Sequence, residues 1–230
     1  MKYKFLAIIP ARSGSKGIKN KNIVDLNGKP LIYYSIKEAL KSNYISDVIV
    51  STDSEEIAKI AKNLGAKVPF MRPSFLATDT SKTIDTVIYS IEKLTEIGQE
   101  YDYVVLLQPT QPLRRSWHID EAIELIINKK ETSLISVSKV KEHPILIRKI
   151  DENGYVKNLL NESSTKRRQD FEDFYKVNGA IYINKIDENL TKDTSLNDNK
   201  LAYIMDEKYD IDIDEHNDLY LAEIMISSIE

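Results

Sequence analysis

Between Arg12 and Lys21 the chain sets four cations, Arg12, Lys16, Lys19 and Lys21, among two serines and two glycines, directly behind the apolar run Phe5–Ile9. No acidic residue occurs before Asp25, although the whole chain carries a formal net charge of −4. Such a loop can hold a polyanion: glycines let backbone amides approach a phosphate closely, and Lys and Arg supply the countercharge. It is neither a Walker A loop, which ends in Lys-Ser/Thr, nor the dinucleotide fingerprint, which needs a third glycine and an immediate helix. A solvated, lysine-rich surface loop has the same composition, and composition alone leaves both readings open. At the other end, "YDIDIDEHNDL" alternates Asp210, Asp212 and Asp214 with Ile211 and Ile213. On a strand this spacing puts the carboxylates on one face and the isoleucines on the other. Like charges so placed repel unless a cation lies between them, and magnesium takes one or two protein carboxylates together with substrate phosphates. Asp214 is equally placed to cap a final helix whose apolar positions are Leu221, Ile224, Met225 and Ile229.

The elements that must position these groups alternate along the chain. Phe5–Ile9 predicts a strand buried on both faces. Pro30 suits the first turn of a helix running to about Ser42. Val48–Val50 predicts the next strand, and Ser51-Thr52-Asp53 offers caps for a helix closed by Gly65. Helices are expected over about 82–97 and 118–128, with strands at Tyr103–Leu107 and Leu134–Val137. This βαβα rhythm predicts an α/β, Rossmann-like single domain with a mostly parallel central sheet flanked by helices. Its ligand would lie beyond the carboxyl ends of the strands, where the basic loop, "STDS" and "QPTQPLR" all fall. Past Lys139 the rhythm breaks. Two short strand-like runs flank Asp151-Glu152-Asn153-Gly154, a hairpin signal. About 139–176 is therefore expected to form a small arm, whose Ile145, Leu146 and Ile147 would bury against a second subunit and make a homodimer.

Composition bounds the rest. With 230 residues, 42 % of them hydrophobic, the chain can fill one substantial core. No apolar run is long enough to span a bilayer, no signal peptide is evident, and the absence of cysteine excludes thiolate chemistry and fits a cytoplasmic protein. The slight negative charge argues against a nucleic-acid partner, so any anion site is local. None of the three histidines has a carboxylate, Cys or His cluster around it at catalytic or metal spacing, although His118 and His143 stay open as pocket residues. Trp117 and the tyrosines are expected to pack rather than form a stacking platform.

Six segments in order, "PARSGSKGIKNKN", "VSTDS", "RPSFLATDT", "LLQPTQPLR", "VNGAIYIN" and "DIDID", resemble the acylneuraminate cytidylyltransferase family from Ile8 to about Leu219. The resemblance implies a nucleotidyltransferase (GT-A type) fold and a reaction of CTP with a nonulosonic acid, with magnesium as cofactor. The sugar's anomeric hydroxyl would attack the α-phosphate in line, and pyrophosphate would leave. It implies that Arg12, Ser15, Lys16 and Lys21 grip the triphosphate, with Arg12 and Lys21 stabilising the leaving group. Asn22, Arg72 and the backbone from Ala77 to Ser81 would contact cytosine and ribose, and Asp212 and Asp214 would hold the metal, supported by Asp210. Thr83, Gln108, Arg168, Asn178 and Tyr182 fall at acceptor-sugar positions. Two departures stand out. Gln111 replaces the serine of the family's "QPTSPLR", and Ser195-Leu196 stands where some sialate-specific members carry aromatics. The second leaves the acid open among N-acylneuraminic, legionaminic, pseudaminic and Kdo acids. Rival expectations are a glycosyltransferase of similar nucleotide fold and a catalytically silent CTP-binding protein.

Overall fold

A strand without polar residues is stable only where both its faces are covered, and β1 (Phe5–Pro10) is buried throughout from Phe5 to Ile9. A computed structural model of the protein describes residues 3–160, 165 and 167–229. After β1 come β2 (Asp25–Leu26), β3 (Lys29–Pro30), α1 (Ile32–Lys41), β4 (Ile45–Ser51), α2 (Glu55–Asn63) and α3 (Thr83–Glu96). They are followed by β5 (Tyr103–Leu106), α4 (Ser116–Lys129), β6 (Ser133–Lys139), β7 (Arg148–Ile150), β8 (Val156–Asn158), β9 (Tyr175–Lys185), β10 (Leu201–Met205) and α5 (His216–Ile229).

Six strands form the central sheet in the order β10-β6-β9-β5-β1-β4. β1 runs parallel to β4 and β5, and β10 parallel to β6, whereas β9 is antiparallel to both its neighbours. Alternate residues of β1 feed opposite cores. Phe5, Ala7 and Ile9 meet Ile36 of α1, Ile57 of α2 and Ile123 of α4, while Leu6 and Ile8 meet Ile84, Val87 and Leu94 of α3. The sheet is thus covered on both faces, as α/β alternation requires. A third cluster joins Ile18 and Leu31 to Ile211, Ile213 and Leu219, tying the basic loop to the start of α5.

Local chemistry redirects several expected boundaries. Pro30 does not open α1; it pairs with Asp25 in a two-residue antiparallel ribbon, and Leu31 precedes the helix. Ser54, not the Ser51–Asp53 run, caps α2, its Oγ accepting from the Ile57 amide at 3.3 Å. The acidic segment 210–214 is not a hydrogen-bonded strand, yet Ile211 and Ile213 are buried as the alternation requires. The arm carries the expected hairpin, β7 against β8, with Gly154 at φ +81° in the turn. Pro144–Leu146 forms a 3-10 turn rather than strand, and it buries Ile145 while Ile150, Tyr155 and Val156 remain exposed. No helix among the described residues is long and apolar enough to cross a membrane.

Candidate active site

The chain leaves β1 for β4 on one side and returns to β5 on the other, a strand-order reversal that opens a crevice at the carboxyl end of β1. A cavity of about 640 Å³ lies there. Its walls bring together Arg12, Ser15, Lys16, Lys21, Asn22, Arg72, Ser81, Thr83, Gln108, Asp212 and Asp214, together with Asp79, Thr110 and Glu215.

The basic loop is fixed at several points. Asp53, just beyond β4, accepts from the Ser13 amide at 2.8 Å and from its hydroxyl at 2.7 Å. Burial pushes the Asp53 carboxyl up, but these hydrogen bonds outweigh it and hold the group below its ordinary value. Asn22, nearly buried, donates from Nδ2 to the Arg12 carbonyl at 2.9 Å. Gly17 packs so tightly on the Asp214 carbonyl that a Cβ has no room there. The N-terminal loop and the acidic segment are therefore in contact, and Lys21 completes the join: its Nζ donates to Asp214 Oδ1 and to the Ile213 carbonyl, each at 2.9 Å.

The carboxylates differ in setting. Asp214 projects into solvent with its side chain 73 % exposed, while burial, and then the nearby Asp214 charge, push the Asp212 carboxyl up. Thr110 hydrogen-bonds Asp212, and its carbonyl accepts from the Ile213 amide at 2.9 Å. Asp210 does not share this face: its carboxylate pairs with Lys176 at 3.0 Å. Helix capping falls to Asp218, whose Oδ2 accepts from the amides of Asp214 and Glu215, leaving the Asp214 carboxylate free for Lys21. Asp212 and Asp214 offer the hard oxygen donors that magnesium prefers. Among the described residues no group of three or more His, Cys, Asp or Glu is placed to hold a metal, so further ligands would have to come from substrate and water.

Across the cavity, Arg72 is 6 % exposed and donates through Nη2 to the Ser51 carbonyl, while its Nε has no hydrogen-bond partner. Burial pushes its guanidinium down to about 10, so it stays charged at neutral pH. The adjoining turn is knotted by its own hydroxyls, with Ser81 Oγ donating to the Phe75 carbonyl at 2.9 Å and sharing a 2.7 Å hydrogen bond with Thr78. Ala77 contributes its carbonyl, which accepts from Arg12 at 3.4 Å. Asp79, at the tip of this turn, pairs with Arg12 at 2.7 Å and Lys16 at 3.3 Å. Its place within "LATDT" carried no sign of this role; only the fold brings it over the loop.

A second cavity, of about 440 Å³, shares Thr83 and Gln108 with the first and includes Tyr182, whose hydroxyl donates to Asn197 at 3.2 Å. Its rim holds Ser195 and Leu196. Asn178 lines neither cavity: its amide is spent on Ser136, Ser138 and the Ala180 amide within the sheet. The side chain of Arg168 lies outside the described residues. His118 is buried against Trp117 and Tyr209, and His143 packs on Phe171 in the arm; neither lines these two cavities.

Beneath Gln108 lies a cation that sequence reasoning passed over. Arg114 is 1 % exposed and donates to the carbonyls of Gln108 at 3.3 Å and Ala180 at 2.7 Å, and to Ser35 Oγ at 2.5 Å. It clamps the loop after β5 onto β9. Gly179 sits beside this clamp at φ +76°, where a side chain would run into Gln108.

Comparison with known proteins adds an independent line. A cytidylyltransferase family model matches residues 6–227. The chain is 36 % identical over 217 residues to an N-acylneuraminate cytidylyltransferase of Streptococcus agalactiae serotype V, covering 94 % of this chain and 51 % of that protein. It is 42 % identical over 186 residues to a CMP-N,N'-diacetyllegionaminic acid synthase of Legionella pneumophila, covering 78 % and 77 %. The chain spans about half the length of the streptococcal relative. A solved CMP:2-keto-3-deoxy-manno-octonic acid synthetase complexed with CTP shares the fold, with a TM-score of 0.74 at 16 % identity over 99 % of this chain and 100 % of that one.

Proposed function

The chain belongs to the cytidylyltransferase family, and from that premise we propose that it joins CTP to an N-acylneuraminic acid, giving a CMP-sugar and pyrophosphate. The observation that carries this is the junction of Lys21 with Asp214, which puts the basic loop and the acidic segment in one cavity. Arg12, Lys16 and Lys21 hold the triphosphate, with Ser15 and the loop amides. Arg72, Asn22 and the Ala77–Ser81 turn hold cytosine and ribose. The acceptor sits in the adjoining cavity, against Thr83, Gln108 and Tyr182, with its anomeric hydroxyl directed at the α-phosphate. Gln108 offers both a donor and an acceptor for sugar hydroxyls or amides. The oxygen of that hydroxyl, giving up its proton to water, forms the new bond to the α-phosphorus as the bond from that phosphorus to the oxygen bridging the β-phosphate breaks, and Lys21 and Arg12 neutralise the departing pyrophosphate. Positioning and charge neutralisation do most of the work in such a transfer. Asp212 and Asp214 would hold a magnesium ion, which would supply further positive charge to the phosphates and Lewis acidity to the attacking hydroxyl.

The higher identity to the Legionella synthase favours a second reading, the same reaction on N,N'-diacetyllegionaminic acid. The exposed apolar hairpin of the arm supports a homodimer. The test is incubation with CTP, magnesium and, separately, N-acetylneuraminic, legionaminic, pseudaminic and Kdo acids, with products weighed by mass spectrometry. A CMP-sugar formed with release of pyrophosphate is the expected result. CTP binding without turnover of any acid, or use of a nucleotide-sugar instead, would refute it.

A further inference from the structure

The phosphate-gripping cations of this cavity are already occupied by an anion of the chain itself. Asp79 reaches across from the 75–81 turn to Arg12 at 2.7 Å and Lys16 at 3.3 Å, and these two partners hold its carboxyl below the usual carboxylate value. The turn that carries it is rigidified by the Ser81–Phe75 and Thr78–Ser81 hydrogen bonds, so the carboxylate is presented rather than loosely tethered. Among the described residues Arg12 and Lys16 form no other salt bridge.

We infer that Asp79 is a tethered competitor of the phosphate chain: it occupies Arg12 and Lys16 in the nucleotide-free enzyme, is displaced by CTP, and pairs with them again as pyrophosphate leaves. The inference rests on the functional reading above, in which these cations grip the triphosphate. A tethered group competes at an effective concentration of about millimolar or more, so each phosphate ligand must offset its displacement. The cost is modest because Lys16 is largely exposed and solvent screens such a pair, so the expected effect is about fivefold in affinity. Its effect is to shorten the stay of the product without removing any cation the substrate needs.

The test measures dissociation constants for pyrophosphate and CTP by calorimetry with magnesium present, on the full chain and its Asp79→Asn, Asp79→Glu and Glu215→Gln variants. D79N should bind both ligands about fivefold more tightly and be more strongly inhibited by pyrophosphate, while D79E, which keeps the charge, stays close to the parent. Glu215 lines the same cavity and forms no salt bridge with Arg12 or Lys16, so E215Q removes an equal charge without breaking the contact and should shift affinity less than twofold. Unchanged or weaker binding by D79N would overturn the inference, since loss of a merely structural contact loosens the site. An equal gain in E215Q would also overturn it, by showing that only the overall field matters. Failure of the parent protein to bind CTP at all would remove the functional reading, and the inference with it.

Discussion

Gly17→Ala is the sharpest perturbation this site offers, because it changes one methyl group and no charge. Gly17 does not have a positive φ, so alanine is acceptable to the backbone itself. What it meets is the carbonyl of Asp214, roughly 1 Å inside van der Waals contact, and a carbonyl cannot swing aside as a flexible side chain does. The basic loop and the acidic segment must therefore separate by about that amount. Lys21, which now reaches both Asp214 and the Ile213 carbonyl at 2.9 Å, would lose the geometry of at least one bond. A misplacement of about 1 Å at reacting groups costs about 100-fold in rate. The sheet should tolerate the change, since Gly17 lies outside its strands and the strain falls on the smaller cluster where Ile18 meets Ile213. The assay is pyrophosphate release with CTP and the preferred acid, alongside a thermal melt. The expected result is kcat/KM reduced about 100-fold with the melting temperature within a few degrees of the parent. A G17A enzyme of full activity would refute the claim that close approach of the two segments is needed for catalysis.

Three further outcomes are expected. Burial pushes His118 down to about 3, so the native state stays neutral where the unfolded chain, near 6.5, takes up a proton; this part of stability is complete above about pH 6.5 and is lost at about 1.4 kcal/mol per unit as pH falls toward 3. His118→Asn, whose side-chain oxygen can still accept from the Arg115 amide, should flatten the slope of urea stability between pH 7 and pH 5.5, and an unchanged slope would refute the assignment. Arg114→Met fills similar space but leaves the Gln108 and Ala180 carbonyls without their charged donor; a loss of about 2–4 kcal/mol in urea unfolding is expected, and an unchanged midpoint would contradict the clamp. Gln111 is 1 % exposed with neither amide atom hydrogen-bonded, so Gln111→Met should stabilise the protein by about 1 kcal/mol, whereas a loss would mean that the amide has a partner.

The layered α/β plan was legible in the sequence because buried strands and amphipathic helices leave distinct periodicities, and Phe5–Ile9 and Tyr103–Leu106 pair as those periods imply. The direction of β9 was not legible, since an apolar strand reads alike whichever way it runs. Nor was β10, whose exposed Ala202 and Ile204 at the sheet edge gave no clear signal. In the site, the basic loop announced itself by charge density, and Arg12, Lys16 and Lys21 do line one cavity with Asp212 and Asp214. Asp210 follows the same alternation yet pairs with Lys176, because the segment is irregular rather than a strand and its residues need not share a face. Asp79 and Arg114 were hidden for the opposite reason. Their partners, Arg12 and Ala180, lie 67 and 66 positions away, beyond any local pattern.

The contact between Lys21 and Ile213 spans 192 positions of the sequence. During synthesis the first strand and its cationic loop emerge from the ribosome long before the segment they must meet. The strands of the sheet are all translated before Asp212 and Asp214. The cavity that the loop and these carboxylates share therefore cannot be complete until residue 214 has emerged, after all six strands of the central sheet.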